Sequence, residues 1–327
     1  MGKADLEFEL PPDRIAQFPV QPRDAARLLV MDRATGALAE RRFSELPEAL
    51  EPDDLVVVND TRVLPARLRG SKASGGKAEA LLIERSKDGS WLALVRASGR
   101  LRPGLVLRFG EFEACVEEVV DDGTCRLRLE KEDLLDRVGE APLPPYIQRE
   151  QPLASDLEDY QSVFARVPGA IAAPTASLHF TPELAARLRL ARVTLHVGPG
   201  TFRPIRCERL EEHRLDAERF CVPPETASAI ARTRAAGGRV IAVGTTVVRA
   251  LETGGGEAAS GRTDLFVLPG YEFRVVDSLI TNFHLPGSTL LALVQAFGGV
   301  QAVKHAYAHA IAQGFRFYSY GDAMWIR

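Results

Sequence analysis

Three histidines share one setting in this chain. His179 lies in Leu178-His179-Phe180 before Thr181, His196 in Leu195-His196-Val197 before Gly198, and His284 in "NFHLPG" ahead of a Pro-Gly break. Each imidazole stands where an apolar, strand-like run meets a turn. Imidazole is the side chain most easily moved across neutral pH and also a common metal ligand, so the repetition points to a metal site or a proton-handling site, with coincidence as the plain alternative.

A metal centre is the first chemistry to weigh. Three strand-end histidines could form a catalytic site with an open position. No Asp or Glu accompanies them at ligand spacing, and His305 and His309 flank Ala306 where a metalloprotease helix needs Glu. We therefore expect no metal. A covalent nucleophile fares no better: "GTTVVRALE" (244–252) is strand-turn-helix in shape but has no G-x-S-x-G elbow.

Anion or nucleoside binding fits the glycines better. "HVGPGTFRP" sets Gly198 and Gly200 around Pro199 after a strand, and "AVGTTVVR" sets Gly244, Thr245 and Thr246 between a strand and a helix start. Backbone N–H groups and the helix dipole favour negative charge at such a start. Neither stretch is a P-loop or a G-x-G-x-x-G fingerprint, and the same glycines can simply make tight strand exits. The small residues of "PGAIAAPTASLHF" allow close backbone approach to a ligand or tight packing ahead of His179.

These residues need a scaffold, and 327 residues suffice for two domains with a large core. "DDLVVV" (53–58) reads as a buried strand, followed by breaks at Pro65 and Gly70. Short β-type runs then follow to about Tyr146 ("EALLIE", "SWLALVR", "LVLRF", "FEACVEEVV", "TCRLRLE"), separated by turn residues as in a small barrel or sandwich. After the proline-rich exit "APLPPYI", strands and helices alternate: "RVTLHV", "PETASAIARTRAAGG", "RVIAVG", "VVDSLITNF", "TLLALVQAF" and "VQAVKHAYAHAIAQ". That alternation predicts an α/β domain. The fold class expected is α/β: a discontinuous catalytic domain of residues 1–59 and 150–327, interrupted by an inserted small all-β barrel at 60–149. "ETGGGEAASG" (252–261) reads as a flexible loop.

Composition excludes several classes. The formal net charge is −3, and the four cysteines, Cys115, Cys125, Cys207 and Cys221, form no C-x-x-C pair, which suits reduced thiols. "MGKADLEFELPPD" lacks an apolar signal core, and no apolar run approaches the ~18 residues of a membrane span. We expect a soluble, cytoplasmic protein with no membrane association. Charge is locally uneven: residues 61–109 hold eleven basic side chains against Glu79, Glu84 and Asp88. Arg96, Arg100 and Arg102 there are candidates for a phosphate backbone, with Trp91 as a stacking platform. The acidic "EFEACVEEVVDD" nearby offers a plainer reading, a solvated face.

Longer blocks carry a specific resemblance. "NDTRVLPARLRG", "LPPYI", "PGAIAAPTASLHF", "VTLHVGPGTFRPI", "VIAVGTTVVRALE", "VVDSLITNFHLPGSTLLALVQAFGG" and "FRFYSYGDAM" occur in order from about Phe8 to the C-terminus. Together they resemble the S-adenosylmethionine:tRNA ribosyltransferase-isomerase family of queuosine biosynthesis. The resemblance implies an α/β domain interrupted by a β-barrel. It also implies transfer of the ribosyl moiety of S-adenosylmethionine onto the 7-aminomethyl-7-deazaguanine base at the wobble position of a tRNA with a GUN anticodon. Epoxyqueuosine forms, and adenine and methionine leave. S-adenosylmethionine is then a co-substrate, with no prosthetic group, metal or protein partner implied.

Such a reaction begins with removal of a proton beside a sulfonium, which makes His179, His196 and His284 the candidate bases. The resemblance implies substrate-binding roles for Asn59, Asp60, Arg62, Thr175, Gly198, Gly200, Thr201, Gly244, Thr245, Thr246, Arg249, Thr281, Asn282 and Asp322. Arg62 and Arg249 suit a carboxylate or phosphate, and Asp60 or Asp322 a ribose hydroxyl or amine. Two positions depart from the family pattern: Ser177 stands where Gly is usual, and Asp216 where a second His is common. The latter leaves His213 outside the candidate site. A metal-dependent hydrolase and a non-catalytic tRNA-binding protein are the competing classes.

Overall fold

A computed structural model describes residues 2–121, 123–198, 200, 207 and 209–327. β1 (Arg27–Met31), β2 (Leu38–Arg42) and β3 (Leu55–Asn59) come first, then the short β4 (Thr61–Val63). Next come β5 (Arg67–Lys72), β6 (Lys77–Arg85), β7 (Trp91–Ala97), β8 (Val106–Phe109), β9 (Phe112–Asp121) and β10 (Thr124–Leu129). β11 (Val167–Ala170), β12 (Leu190–Leu195), β13 (Glu218–Val222), β14 (Val240–Val243), β15 (Ala259–Thr263), β16 (Ser278–Asn282) and β17 (Ala323–Ile326) complete the strands.

The fold is mixed α/β with a closed antiparallel barrel. One sheet has the order β15-β13-β12-β3-β14-β16-β17-β1-β2, and β5 to β10 close into the barrel β10-β7-β6-β5-β8-β9. Within the large sheet β12, β3, β14 and β16 are mutually parallel. β3 is buried along its whole length because both sheet faces are covered: Leu55 and Val57 enter one core, Val56 and Val58 the other. A strand covered on both faces reads as an unbroken apolar run, which is why "LVVV" is legible. The helices Thr245–Gly254 and Thr289–Gly298 bury their apolar residues in the first of these cores.

The barrel has its own core. In β10, Cys125, Leu127 and Leu129 point inward while Arg126 and Arg128 face out, pairing with Glu118 at 3.1 Å and Glu117 at 2.8 Å on β9. β4 and β11 pair in parallel on either side of the barrel in sequence, with Thr61 opposite Val167 and Val63 opposite Ala170. The chain thus leaves the α/β body and returns at adjacent strands.

Three readings need correction. Trp91 is 4% exposed in the barrel interior, so it offers no stacking platform. "ETGGGEAASG" is not one loop: the helix runs to Gly254, and β15 starts at Ala259, paired with β13. His179 lies in a 3-10 turn over Thr175–His179 rather than at a strand end. β1, β2, β4, β5, β11, β13, β15 and β17 have no counterpart in the sequence reading: β2, β5 and β15 are short runs of mixed polarity, and the apolar β1 and β17 are recognised as strands through their parallel pairing.

Candidate functional site

The four parallel strands end side by side. From β3 the sheet continues to β12, and from β14 it continues to β16 on the other side. Connections that diverge this way open a crevice at the carboxyl ends of the strands, the usual ligand position in open α/β sheets. Asn59, fully buried at the end of β3, spans it. Its Nδ2 donates to the Leu195 carbonyl at 2.9 Å and the Thr246 hydroxyl at 3.2 Å, while its Oδ1 accepts from the Leu195 and Thr61 N–H groups, each at 3.1 Å.

A cleft of about 820 Å³, including solvent at its mouth, lies over these ends. It brings together Thr175, Gly244, Thr245, Thr246, Arg249, Thr281, Asn282 and His284. Gly244 precedes the helix with φ +94°, a value that a residue with a Cβ rarely adopts. Tyr146, Tyr160, Tyr318 and Ser319 also line the cleft. The Tyr146 and Tyr318 rings are 4.6 Å apart, and the Tyr146 and Ser319 hydroxyls share a hydrogen bond at 2.8 Å. Sequence reasoning missed these four, although "LPPYI" and "FRFYSYGDAM" contain three of them. Their long separation in the chain hides their convergence.

The three histidines occupy three environments. His284 lines the cleft, its Nε2 2.8 Å from the Thr281 hydroxyl, and burial lowers its pKa to about 3. His179 is buried beneath, against Phe43, with Nε2 3.3 Å from Asn282 Oδ1. Burial lowers its pKa to about 4, against the upward pull of the Asp322 carboxylate. His196 is half-buried in a second cleft, of about 760 Å³ including the solvent at its mouth, between the sheet and the barrel residues Glu84 and Thr124. Its Nδ1 meets the Thr61 hydroxyl at 2.8 Å, and burial, then Arg219, lower its pKa. Among the described residues no group of three His, Cys, Asp or Glu side chains could hold a metal ion.

The remaining candidates are dispersed. Asp60 is spent within the protein: its carboxylate accepts from Thr194 at 2.6 Å and from Arg166 at 2.8 and 3.0 Å. Asp322 likewise accepts from the N–H groups of Arg27 at 3.0 Å and Arg316 at 2.8 Å. Arg249 pairs with Glu218 and donates to the carbonyls of Leu265 at 3.0 Å and Thr263 at 3.3 Å. Glu218, not foreseen from the sequence, also accepts from the Gly198 N–H at 2.7 Å. Gly200 borders a neighbouring cavity with Arg249, Arg62 is exposed on β4, and Thr201 lies outside the described residues. Ser177 is fully buried with a hydroxyl that has no hydrogen-bond partner among the described residues. Arg96, Arg100 and Arg102 are exposed on β7 and the loop after it, far along the chain from the cleft.

Comparison with known proteins decides the family. The model of the queuosine biosynthesis protein family matches residues 3–326. The chain belongs to that family. An S-adenosylmethionine:tRNA ribosyltransferase-isomerase of Anaeromyxobacter dehalogenans is 52% identical, over 99% of this chain and 99% of its own. A relative of the same name from Thiobacillus denitrificans is 51% identical, over 100% of this chain and 97% of its own. The crystal structure of an S-adenosylmethionine tRNA ribosyltransferase from Thermotoga maritima is similar with a TM-score of 0.57 at 38% identity, covering 99% of this chain and 100% of that one. Family membership thus spans both the cleft-bearing sheet and the barrel.

Proposed function

We propose that this chain is an S-adenosylmethionine:tRNA ribosyltransferase-isomerase of queuosine biosynthesis. It transfers the ribosyl moiety of S-adenosylmethionine to the aminomethyl group of the 7-aminomethyl-7-deazaguanine base at the wobble position of a GUN-anticodon tRNA. Epoxyqueuosine is the product, and adenine and methionine are released. Full-length similarity at about half identity to enzymes of that name carries the reading. The cytoplasm, where tRNA and free thiols coexist, is the compartment that suits it.

In this reading the strand-end cleft takes S-adenosylmethionine. His284 is the candidate base whose side chain lines that cleft, and burial keeps its imidazole neutral at neutral pH. Thr175, Thr245, Thr246, Thr281 and Asn282 supply polar contacts. Asn59, Asp60, Arg249 and Asp322 hold the walls through the bonds described above. Arg96, Arg100 and Arg102 meet tRNA phosphates.

The test is direct. Purified protein incubated with S-adenosylmethionine and tRNA carrying the aminomethyl-deazaguanine should release adenine and yield epoxyqueuosine. His284→Ala should reduce the rate by ~100- to 10,000-fold, the usual worth of a general base. Absence of adenine release by the wild type would sink the reading.

A further inference from the structure

The Thr245–Gly254 helix begins at the cleft without a cap. Gly244 at its N-cap position supplies no side-chain acceptor, and the N–H groups of Thr245 and Thr246 donate to no described residue. The other helix starting at this cleft differs in having a side-chain cap on its third N–H, where the Ser288 hydroxyl accepts from the Leu291 N–H at 3.2 Å. Free N–H groups at a ten-residue helix start present a partial positive charge.

A second observation lies across the same cleft. Tyr160 is 1% exposed, and its hydroxyl has no hydrogen-bond partner among the described residues. Ser319 and the Ala173 backbone, both lining the cleft, lie beside that hydroxyl but outside hydrogen-bond geometry. A buried hydroxyl without a partner costs stability, and its persistence points to an acceptor supplied by a ligand. Burial also raises the Tyr160 pKa, so the group is a donor at neutral pH. No Asp or Glu is among the described residues lining the cleft. Donors without acidic counterparts select an anion.

We propose that Tyr160 and the uncapped start of the Thr245 helix bind the α-carboxylate of S-adenosylmethionine. This rests on the cleft being the S-adenosylmethionine site of the proposed function. The carboxylate is the one anionic group of that molecule at neutral pH, so it is the part that free N–H groups and an unpartnered hydroxyl attract in a cleft without acidic side chains. Tyr160 is then a binding residue for the amino-acid end of the co-substrate, and the cleft discriminates against analogues lacking that carboxylate.

Calorimetric titration of the full chain with S-adenosylmethionine and with decarboxylated S-adenosylmethionine tests this. Wild type should bind the former at least about tenfold more tightly, as expected for hydrogen bonds to a charged group. Tyr160→Phe should lose ~10-fold for S-adenosylmethionine, leave the decarboxylated analogue unchanged, and melt no lower than wild type, because the lost hydroxyl had no partner. Thr245→Pro keeps a helix-compatible first residue but removes one N–H, so it should bind S-adenosylmethionine more weakly than Thr245→Val. Equal wild-type affinity for both ligands, or equal loss of both in Tyr160→Phe, overturns the inference while leaving the function intact. Loss of tRNA binding alone in Tyr160→Phe would assign the site to a phosphate and overturn it too. A wild type that binds neither ligand would sink the proposed function itself.

Discussion

His179 and His284 are held neutral by burial, with pKa values of about 4 and 3, while the unfolded chain protonates both near 6.5. As pH falls below 6.5 the unfolded state takes up protons that the folded state refuses, so stability declines until pH passes each folded pKa. Between pH 6 and 5 the two residues should together remove roughly 2 kcal/mol. Denaturant melts across that interval should show a shallower pH slope for His284→Gln than for wild type, by about one proton. Equal slopes would mean that the buried imidazole protonates as freely folded as unfolded. The same burial favours hydrogen bonding over strong basicity, and His196, at the barrel junction, is the most exposed of the three.

At the scale of elements, the Glu218–Arg249 pair ties β13 to the Thr245 helix, and both side chains are 7% exposed. Glu218 also fixes the exit of β12 through the Gly198 N–H. A buried pair broken on one side leaves an uncompensated charge, so Glu218→Ala should cost about 3–5 kcal/mol of unfolding free energy. Adding Arg249→Met should restore much of that loss, because the stranded charge is then gone. A double variant no more stable than the single one would show that the carboxylate acts chiefly on the strand exit. Barrel strands show the opposite economy: outward Arg–Glu pairs on β9 and β10 are exposed and contribute little each.

Across the whole molecule, two bodies divide the proposed work. The sheet carries the cleft, and the barrel presents Arg96, Arg100 and Arg102, which are exposed and form no ion pair with any described residue. Replacing all three by Ala should weaken tRNA binding and leave S-adenosylmethionine affinity within about twofold. The log–log salt dependence of tRNA binding should flatten by ~0.7–0.9 per lost phosphate contact, as counterion release falls. Fluorescence titrations at several salt concentrations would measure it, and an unchanged slope would move the tRNA surface elsewhere. No helix among the described residues is long and apolar enough to cross a membrane.

The sequence alone determined those features that are local or written in long blocks. The apolar runs of β3 and β14 are legible because a strand buried on both faces reads as a near-continuous apolar run, and the inward-outward alternation of "TCRLRL" marks a barrel strand. Gly244 before Thr245 and Thr246 is legible because a helix start after a strand has few alternatives. Tertiary structure alone decided convergence. It separated three histidines with the same local grammar into three environments, and it enclosed Trp91. It spent Asp60, Asp322 and Arg249 on internal partners, and it brought Tyr146 and Tyr160 into one cleft with Tyr318 and His284. Hydrogen-bond saturation and burial depend on residues distant in the chain, so no local pattern records which polar side chain remains free to meet a ligand.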